Sequence, residues 1–375
     1  MIVHAFLRWV ETARSSDRAK AASVLARAFA RNRIAAGDRH AAEMAMIFLL
    51  DDPAHQVRLA LAEELADCPH APRAVILPLA EDQPEVAARV LLRSPVLADG
   101  DLVDIAAKGN GVTRMLIAHR AFVSRPVSAA LAEIGEEAET MVLLENPGAI
   151  LSRSSLARLA ERFADHGEIR ALLLGRDDLS GDARSLLIEK VGEALAGLDL
   201  VRATIGSGRV ERVMREACDV ATLVMAGEAP EADMPALVEH LRVNGRLTPV
   251  FLMHALCTGR AEFFATAIVN LSGHQERRVR ALLSDGREAA LRALYETCGL
   301  GGEIAGLFAQ ATLIRRRGTA ADDAAFSVSE RLLAEARGRD DAACQSLLEL
   351  VERLALAEQR RTARSYAMLV TREAA

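Results

Sequence analysis

Several groupings of side chains in this 375-residue chain could do chemistry, and each stops short of a complete site. His254 and Cys257 stand three residues apart, so on a helix both could face one metal ion, and Cys68-Pro69-His70 brings the same two donor types together. A zinc site takes three or four ligands, and neither neighbourhood supplies a second close pair. There is no His-Glu-x-x-His motif and no glutamate–histidine ladder of the di-iron kind. Gly206-Ser207-Gly208 and Gly299-Leu300-Gly301 could each lead into a helix whose free amides hold a phosphate. The dinucleotide fingerprint requires a third glycine where this chain has Glu211 and Ile304, and a strand before it. Lys20, Lys108 and Lys190 are the only lysines, and none follows the glycines of a P-loop. The tandem acids Asp51-Asp52, Asp177-Asp178, Asp322-Asp323 and Asp340-Asp341 could act as paired carboxylates. Each lies where a helix is expected to begin, and there carboxylates cap free amides and complement the helix dipole. No Gly-x-Ser-x-Gly elbow is present. The expectation is a non-enzymatic protein with no catalytic, cofactor-binding or metal-ligating residues and no cofactor.

Charge narrows the partners. The chain carries 46 Lys and Arg against 52 Asp and Glu, a net charge of −6, and its aromatic content is 3%. Nucleic-acid affinity rests on cations that neutralise phosphates and on aromatic platforms for bases, so this balance speaks against nucleic acid. The alternative would need the clusters Arg277-Arg278 with Arg280, Arg315-Arg316-Arg317, and Arg360-Arg361 with Arg364 to converge on one groove. Arg315-Arg316-Arg317 is expected to end a helix before Gly318, beside that helix's own last carbonyls. Five widely spaced cysteines, Cys68, Cys218, Cys257, Cys298 and Cys344, form no Cys-x-x-Cys and read as reduced thiols of a cytoplasmic protein. Met1 to Val10 has no basic leader or cleavage site, and no apolar run reaches the length of a membrane span.

What would position any of these side chains is a run of helix pairs. Two apolar residues four apart recur as Val57/Leu61, Val86/Val90, Val112/Leu116, Ala138/Val142 and Ile169/Leu173. Ten and seven residues before each lie Ile47 and Leu50, Ile76 and Leu79, Leu102 and Ile105, then Leu131 and Leu159 alone, where Ser128 and Arg162 break the pattern. Turn and capping residues separate the two sets: Asp51-Asp52-Pro53, Asp82 with Pro84, Gly109-Asn110-Gly111, Gly135-Glu136 and Asp165-His166-Gly167. A unit this short cannot bury both faces alone, so neighbours must share a continuous core. Val86, Val112, Ile169, Ile76, Ile105 and Leu159 are expected to lie in it. Strand signals are almost absent.

The second half is less regular. Residues 1–37 read as N-terminal helices, 38–195 as the repeats, 196–318 as an irregular helical region and 319–375 as long C-terminal helices. Breaks are expected at Gly206 to Gly208 (with a helix from near Val210), Gly227 to Pro230, Gly259, Gly273, Asp285-Gly286 and Gly299 to Gly302. One helix is expected from Asp323 to about Gly338, and a last one opened by Asp340-Asp341. Leu347, Leu350, Leu354 and Ala357 give this last helix an apolar seam. The seam either docks on the chain's own preceding helices or pairs with a second chain as a homodimer.

The N-terminal half resembles a bacterial family of HEAT-like proteins known only as a domain of unknown function. The resemblance rests on Asp52 with Val57-Arg58, Arg93-Ser94-Pro95-Val96-Leu97 followed by Asp101-Leu102, Arg120, Asn146, and Arg176-Asp177-Asp178-Leu179. It covers roughly residues 45–190, implies an all-α fold with HEAT-like repeats, and brings no activity or ligand with it. The chain is thus expected to be an all-α, HEAT-like helical-repeat solenoid with a less regular C-terminal helical region. Its expected role is protein–protein interaction or scaffolding with an unknown protein partner, away from membranes. Small-molecule binding or catalysis, and nucleic-acid binding, are the alternatives.

Overall fold

The computed structural model describes residues 9–10, 12–199, 203, 206–321, 327–336 and 342–373. It is all-α: among the described residues there is no sheet, only an isolated parallel bridge between Val123 and Ala149. Two compact units divide the chain, Met1–Leu179 and Ser180–Ala375. The expected acids Asp322-Asp323 and Asp340-Asp341, and Gly338, lie outside the described residues.

In the first unit eleven helices are described: α1 (Ser15–Ala30), α2 (Arg39–Leu50), α3 (His55–Leu65), α4 (Arg73–Ala80), α5 (Pro84–Arg93), α6 (Asp99–Lys108), α7 (Gly111–Ala118), α8 (Arg125–Ile134), α9 (Glu137–Glu145), α10 (Arg153–Phe163) and α11 (Gly167–Leu174). They stack in two layers. The odd helices form one, each packed on the next from α1 to α11. In the other, α2 packs on α4, α6 on α8, and α8 on α10. The third and seventh residues of α3, α5, α7, α9 and α11 mark the face of each helix toward the shared core, all buried but the half-buried Thr113. These are Val57/Leu61, Val86/Val90, Thr113/Ile117, Glu139/Leu143 and Ile169/Leu173, and the seventh residue is completely buried in every case.

Two expected pairs are therefore corrected by one step. Val112 is 46% exposed, and Ala138 is exposed as well, while Thr113 and Glu139 take their places. The N-cap fixes the phase: Asn110 accepts the Thr113 amide at 3.1 Å, so α7 starts at Gly111 and its third residue is Thr113. Glu139 can face the core because Arg114 meets its carboxylate at 3.1 Å. Ile76, Leu79, Leu102, Ile105, Leu131 and Leu159 are buried as expected, whereas Ile47 and Leu50 are only half-buried beside a core face of Ala42, Ala45, Met46 and Leu49. Ser128 keeps its core position, and its buried hydroxyl has no hydrogen-bond partner. Arg162 donates to the carbonyls of Ala132 and Gly135, at 2.5 and 2.8 Å, and so caps the end of α8.

The second unit contains α12 (Gly181–Ala196), α13 (Ser207–Ala226), α14 (Met234–Val243), α15 (Pro249–Cys257), α16 (Ala261–Ser272), α17 (Glu276–Asp285), α18 (Glu288–Thr297), α19 (Gly302–Ala321), α20 (Val328–Ala336) and α21 (Ala342–Glu373). Its centre is α15, whose residues Phe251 to Cys257 are all buried against α16, α19 and α21. Helices break at Gly259 and Gly273, both at positive φ that glycine adopts without strain. Gly318 is no stop, since α19 runs through it to Ala321. On α21, Cys344, Leu347, Leu350, Val351 and Ala355 are buried in the unit's own core, Leu354 is half-buried, and Ala357 is exposed. The buried stripe thus follows Val351 and Ala355 in place of Ala357, because spacings of three and four residues from Leu347 keep one helix face.

Candidate interaction surface

Arginines hold the odd helices of the first unit in register. The fourth residue of α1, α3, α7 and α11 is Arg18, Arg58, Arg114 and Arg170. Each donates back to a carbonyl in the turn before its own helix: Ala13 at 2.8 Å, Asp52 at 2.6 Å, Gly109 at 3.0 Å and Ala164 at 2.9 Å. Three of them also reach a carboxylate on the next pair. Arg18 meets Asp52 at 2.6 and 2.8 Å, Arg58 meets Asp82 at 2.5 and 2.9 Å, and Arg114 meets Glu139. The Arg18 guanidinium holds the Asp52 carboxyl below the usual carboxylate range, against the opposing effect of burial. At Asp82 burial alone would raise the pKa, and the bonds from Arg58 and the Gln83 amide outweigh it.

The turns on the opposite end are tied in the same way. Arg120 caps the end of α5 through the carbonyls of Leu91 and Ser94, and Asn146 caps α7 through Ala118 and Arg120, at 2.6 and 2.8 Å. Burial pushes the Arg120 guanidinium below its usual value. Val123 then exchanges backbone bonds with Gly148 and Ile150, at 3.0 and 2.9 Å. Gly148 is required here, because a Cβ would run into the Ala121 carbonyl.

This frame presents one face of α7 and α9 outward. Their second, fifth and sixth residues lie on one helix face, at i, i+3 and i+4. They are Val112, Met115 and Leu116 on α7, and Ala138, Met141 and Val142 on α9. Val112 and Ala138 are exposed and the other four half-buried. Since α7 packs directly on α9, the six form one apolar patch. Equivalent positions on the flanking helices are Glu85, Ala88 and Arg89 on α5, and Glu168, Ala171 and Leu172 on α11, charged or small in every case but the half-buried Leu172. Exposed Glu137 stands at the patch's edge, 3.5 Å from His166. Four of the six, Val112, Leu116, Ala138 and Val142, were assigned to the core from the sequence. The signal that separates the two faces is the position of the N-cap, Asn110 or Glu136.

The residues singled out for chemistry are placed as follows. His254 and Cys257 are both buried on α15; burial lowers the His254 pKa, and Arg353 adds to this, while burial pushes the Cys257 thiol up to about 12. No group of three or more potential ligands for a metal occurs among the described residues. Cys68 is buried and His70 exposed. Gly206 is the N-cap of α13, which begins at Ser207. Asp52 caps the Ala54 amide at 2.9 Å besides holding Arg18, and Asp178 binds Arg176 at 2.8 Å. Arg315 and Arg316 do meet helix-terminal carbonyls, but those of other helices. Arg315 donates to Leu256 and Gly259 at the end of α15, and Arg316 to Leu282, Leu283 and Gly286 at the end of α17. The correction is geometric: α19 continues past these residues, so its own terminal carbonyls lie further on. Arg280 is held by Glu262 and Glu276, and Arg361 and Arg364 are exposed. Among the described residues no helix is long and apolar enough to cross a membrane.

Paired helices clamped end to end by arginine, with an apolar patch on one layer, define an all-α protein of stacked helices. The chain belongs to the family described as "Uncharacterised protein conserved in bacteria (DUF2336)", whose model matches residues 86–345. The match takes in α5 to α20 and the first residues of α21, including the second unit's central helix. No curated protein and no solved structure matches the chain.

Proposed function

We propose that the helix pairs of the first unit are HEAT-like repeats and that they serve as a cytoplasmic, non-catalytic protein-interaction module. The observation that supports this reading is the patch of Val112, Met115, Leu116, Ala138, Met141 and Val142, apolar side chains that the shared core leaves exposed or only half covers. Apolar patches rimmed by polar residues are the usual mark of docking surfaces, and methionine adapts readily to a partner's shape. The rim is more acidic than basic: Glu85, Glu137 and Glu168 surround it, and Arg89 lies 3.7 Å from Glu63. An amphipathic helix of a partner protein, apolar on one face with basic residues flanking that face, fits this chemistry.

The test compares the full chain with a variant carrying Met115→Glu and Met141→Glu. Both are captured from the native host, and the proteins retained are identified by mass spectrometry and then purified. The reading expects a protein that binds the parent chain directly and loses at least about tenfold in affinity for the variant, with helical circular dichroism unchanged. Equal binding to both proteins would refute it.

A further inference from the structure

Helix α13 of the second unit carries an apolar stripe that its own core does not use. Val213, Ala217, Val220 and Val224 are all exposed, the three valines between 44% and 47%. Their spacings of four, three and four residues keep them on one helix face and match the a and d positions of a coiled coil. Thr222, Leu223 and Ala226 are buried on the other side of the helix. A surface helix keeps polar residues on the face turned from its core, so a stripe with this repeat calls for a covering helix.

Charge indicates which helix. Arg209 and Arg212 are exposed in the first turns of α13, where the helix dipole favours anions, and no acidic residue stands in the first turn. Exposed Glu228 follows the last turn, where the dipole favours cations. Away from the stripe the charges are balanced: Glu211 and Arg215 stand one turn apart on the far side, and Glu216 is engaged by Arg353 at 2.7 Å. The ends of the stripe are thus basic and then acidic, the reverse of what a solitary helix favours. An antiparallel copy of α13 relieves both ends, because the arginines of each copy come beside the terminal carbonyls and Glu228 of the other. A parallel copy would set arginine beside arginine.

We propose that this face pairs with a second copy of the chain, α13 against α13 about a two-fold axis, with Val213 opposite Val224 and Ala217 opposite Val220. The same register sets Arg209 of one copy level with Glu228 of the other. Ala217, next to the axis, lets the helices approach closely, and one self-complementary patch serves both copies.

Light scattering on the full chain over a dilution series tests the pairing. It should show a reversible dimer, and Val220→Glu should weaken it at least about tenfold by bringing two carboxylates together near the axis. Val213→Glu, also at an exposed position, gives the same readout should the first variant fold poorly, with circular dichroism checking both. Val213→Cys and Val224→Cys chains then test the direction. Mixed under mild oxidation they should cross-link to each other, while each alone should link no more than the parent chain does. Three results would each overturn the assignment: a monomer at every soluble concentration, a dimer that both folded glutamate variants leave intact, or cysteine variants that link to themselves as readily as to each other.

Discussion

Asp52 concentrates much of what fixes the first unit in one carboxylate. It accepts two bonds from Arg18 and one from the Ala54 amide, with only 4% of its side chain exposed. Asp52→Asn should lower stability at pH 7, since it removes the charge that the Arg18 guanidinium meets with two hydrogen bonds. The folded-state pKa of Asp52 lies below the unfolded one, so this contribution is present above the unfolded value of ~3.9 and disappears as pH falls through the folded value. Urea titrations at pH 7 and pH 3 should show the gap between parent and variant close at the acid end. A gap of equal size at both would remove the ion pair as its source. Gly148→Ala should cost about 1–3 kcal/mol, through overlap with the Ala121 carbonyl. Nothing near Gly148 in the sequence announces this, because the obstacle lies in another turn, 27 residues earlier.

At the scale of the element, the decisive quantity is helix phase. Ile117→Ala should cost about 2–4 kcal/mol, whereas Val112→Ala, on an exposed position of the same helix, should stay within about 0.5 kcal/mol. Thermal or urea unfolding of the two variants checks this, and comparable losses would return Val112 to the core. Pairs such as Val57/Leu61 and Ile169/Leu173 were legible because both members are apolar and the neighbouring stripe opens on a polar residue, Gln56 or Glu168. On α7 and α9 two apolar stripes run side by side, and the one that reaches the core includes Thr113 and Glu139. Periodicity alone cannot choose the stripe with polar members, because the group that satisfies Glu139 is Arg114, on a different helix. The apolar patch was hidden for the same reason: four of its six residues were given to the core face. That Arg315 and Arg316 would find carbonyls was readable; whose carbonyls they would find was not.

For the molecule as a whole, each unit has its own core, and that of Ser180–Ala375 is closed by its last helix. Cys344, Leu347 and Val351 are almost completely buried there, and α21 packs on α15, α19 and α20. Deleting residues 342–375 should lower the melting temperature or solubility by uncovering α15. Light scattering on soluble deleted protein should give as many chains per particle as the parent if the seam serves only its own unit. A shift from dimer to monomer would point to pairing. The same core contains His254, whose pKa is depressed first by burial and then by Arg353. A depressed histidine adds stability that is complete above the unfolded pKa of ~6.5 and is lost as pH falls through the folded value. Unfolding of the parent should therefore become easier on acidification below neutrality, and His254→Gln, which takes up no proton, should flatten that part of the profile. An unchanged slope would show that His254 does not carry it.

The two arginines of α19 also bear on how the second unit opens. Arg315 ties down the last turn of α15 and Arg316 that of α17, so fraying of either turn breaks bonds to one of two consecutive residues of a third helix. Terminal turns normally exchange their amide protons through small, independent fluctuations. Here the amides of Thr258 and Gly286, bonded to His254 and Leu282 at 2.9 Å, should exchange with deuterium at similar free energies and both respond to the double variant Arg315→Ala with Arg316→Ala. Two helix ends far apart in sequence would then behave as one cooperative opening unit, with α19 as its latch.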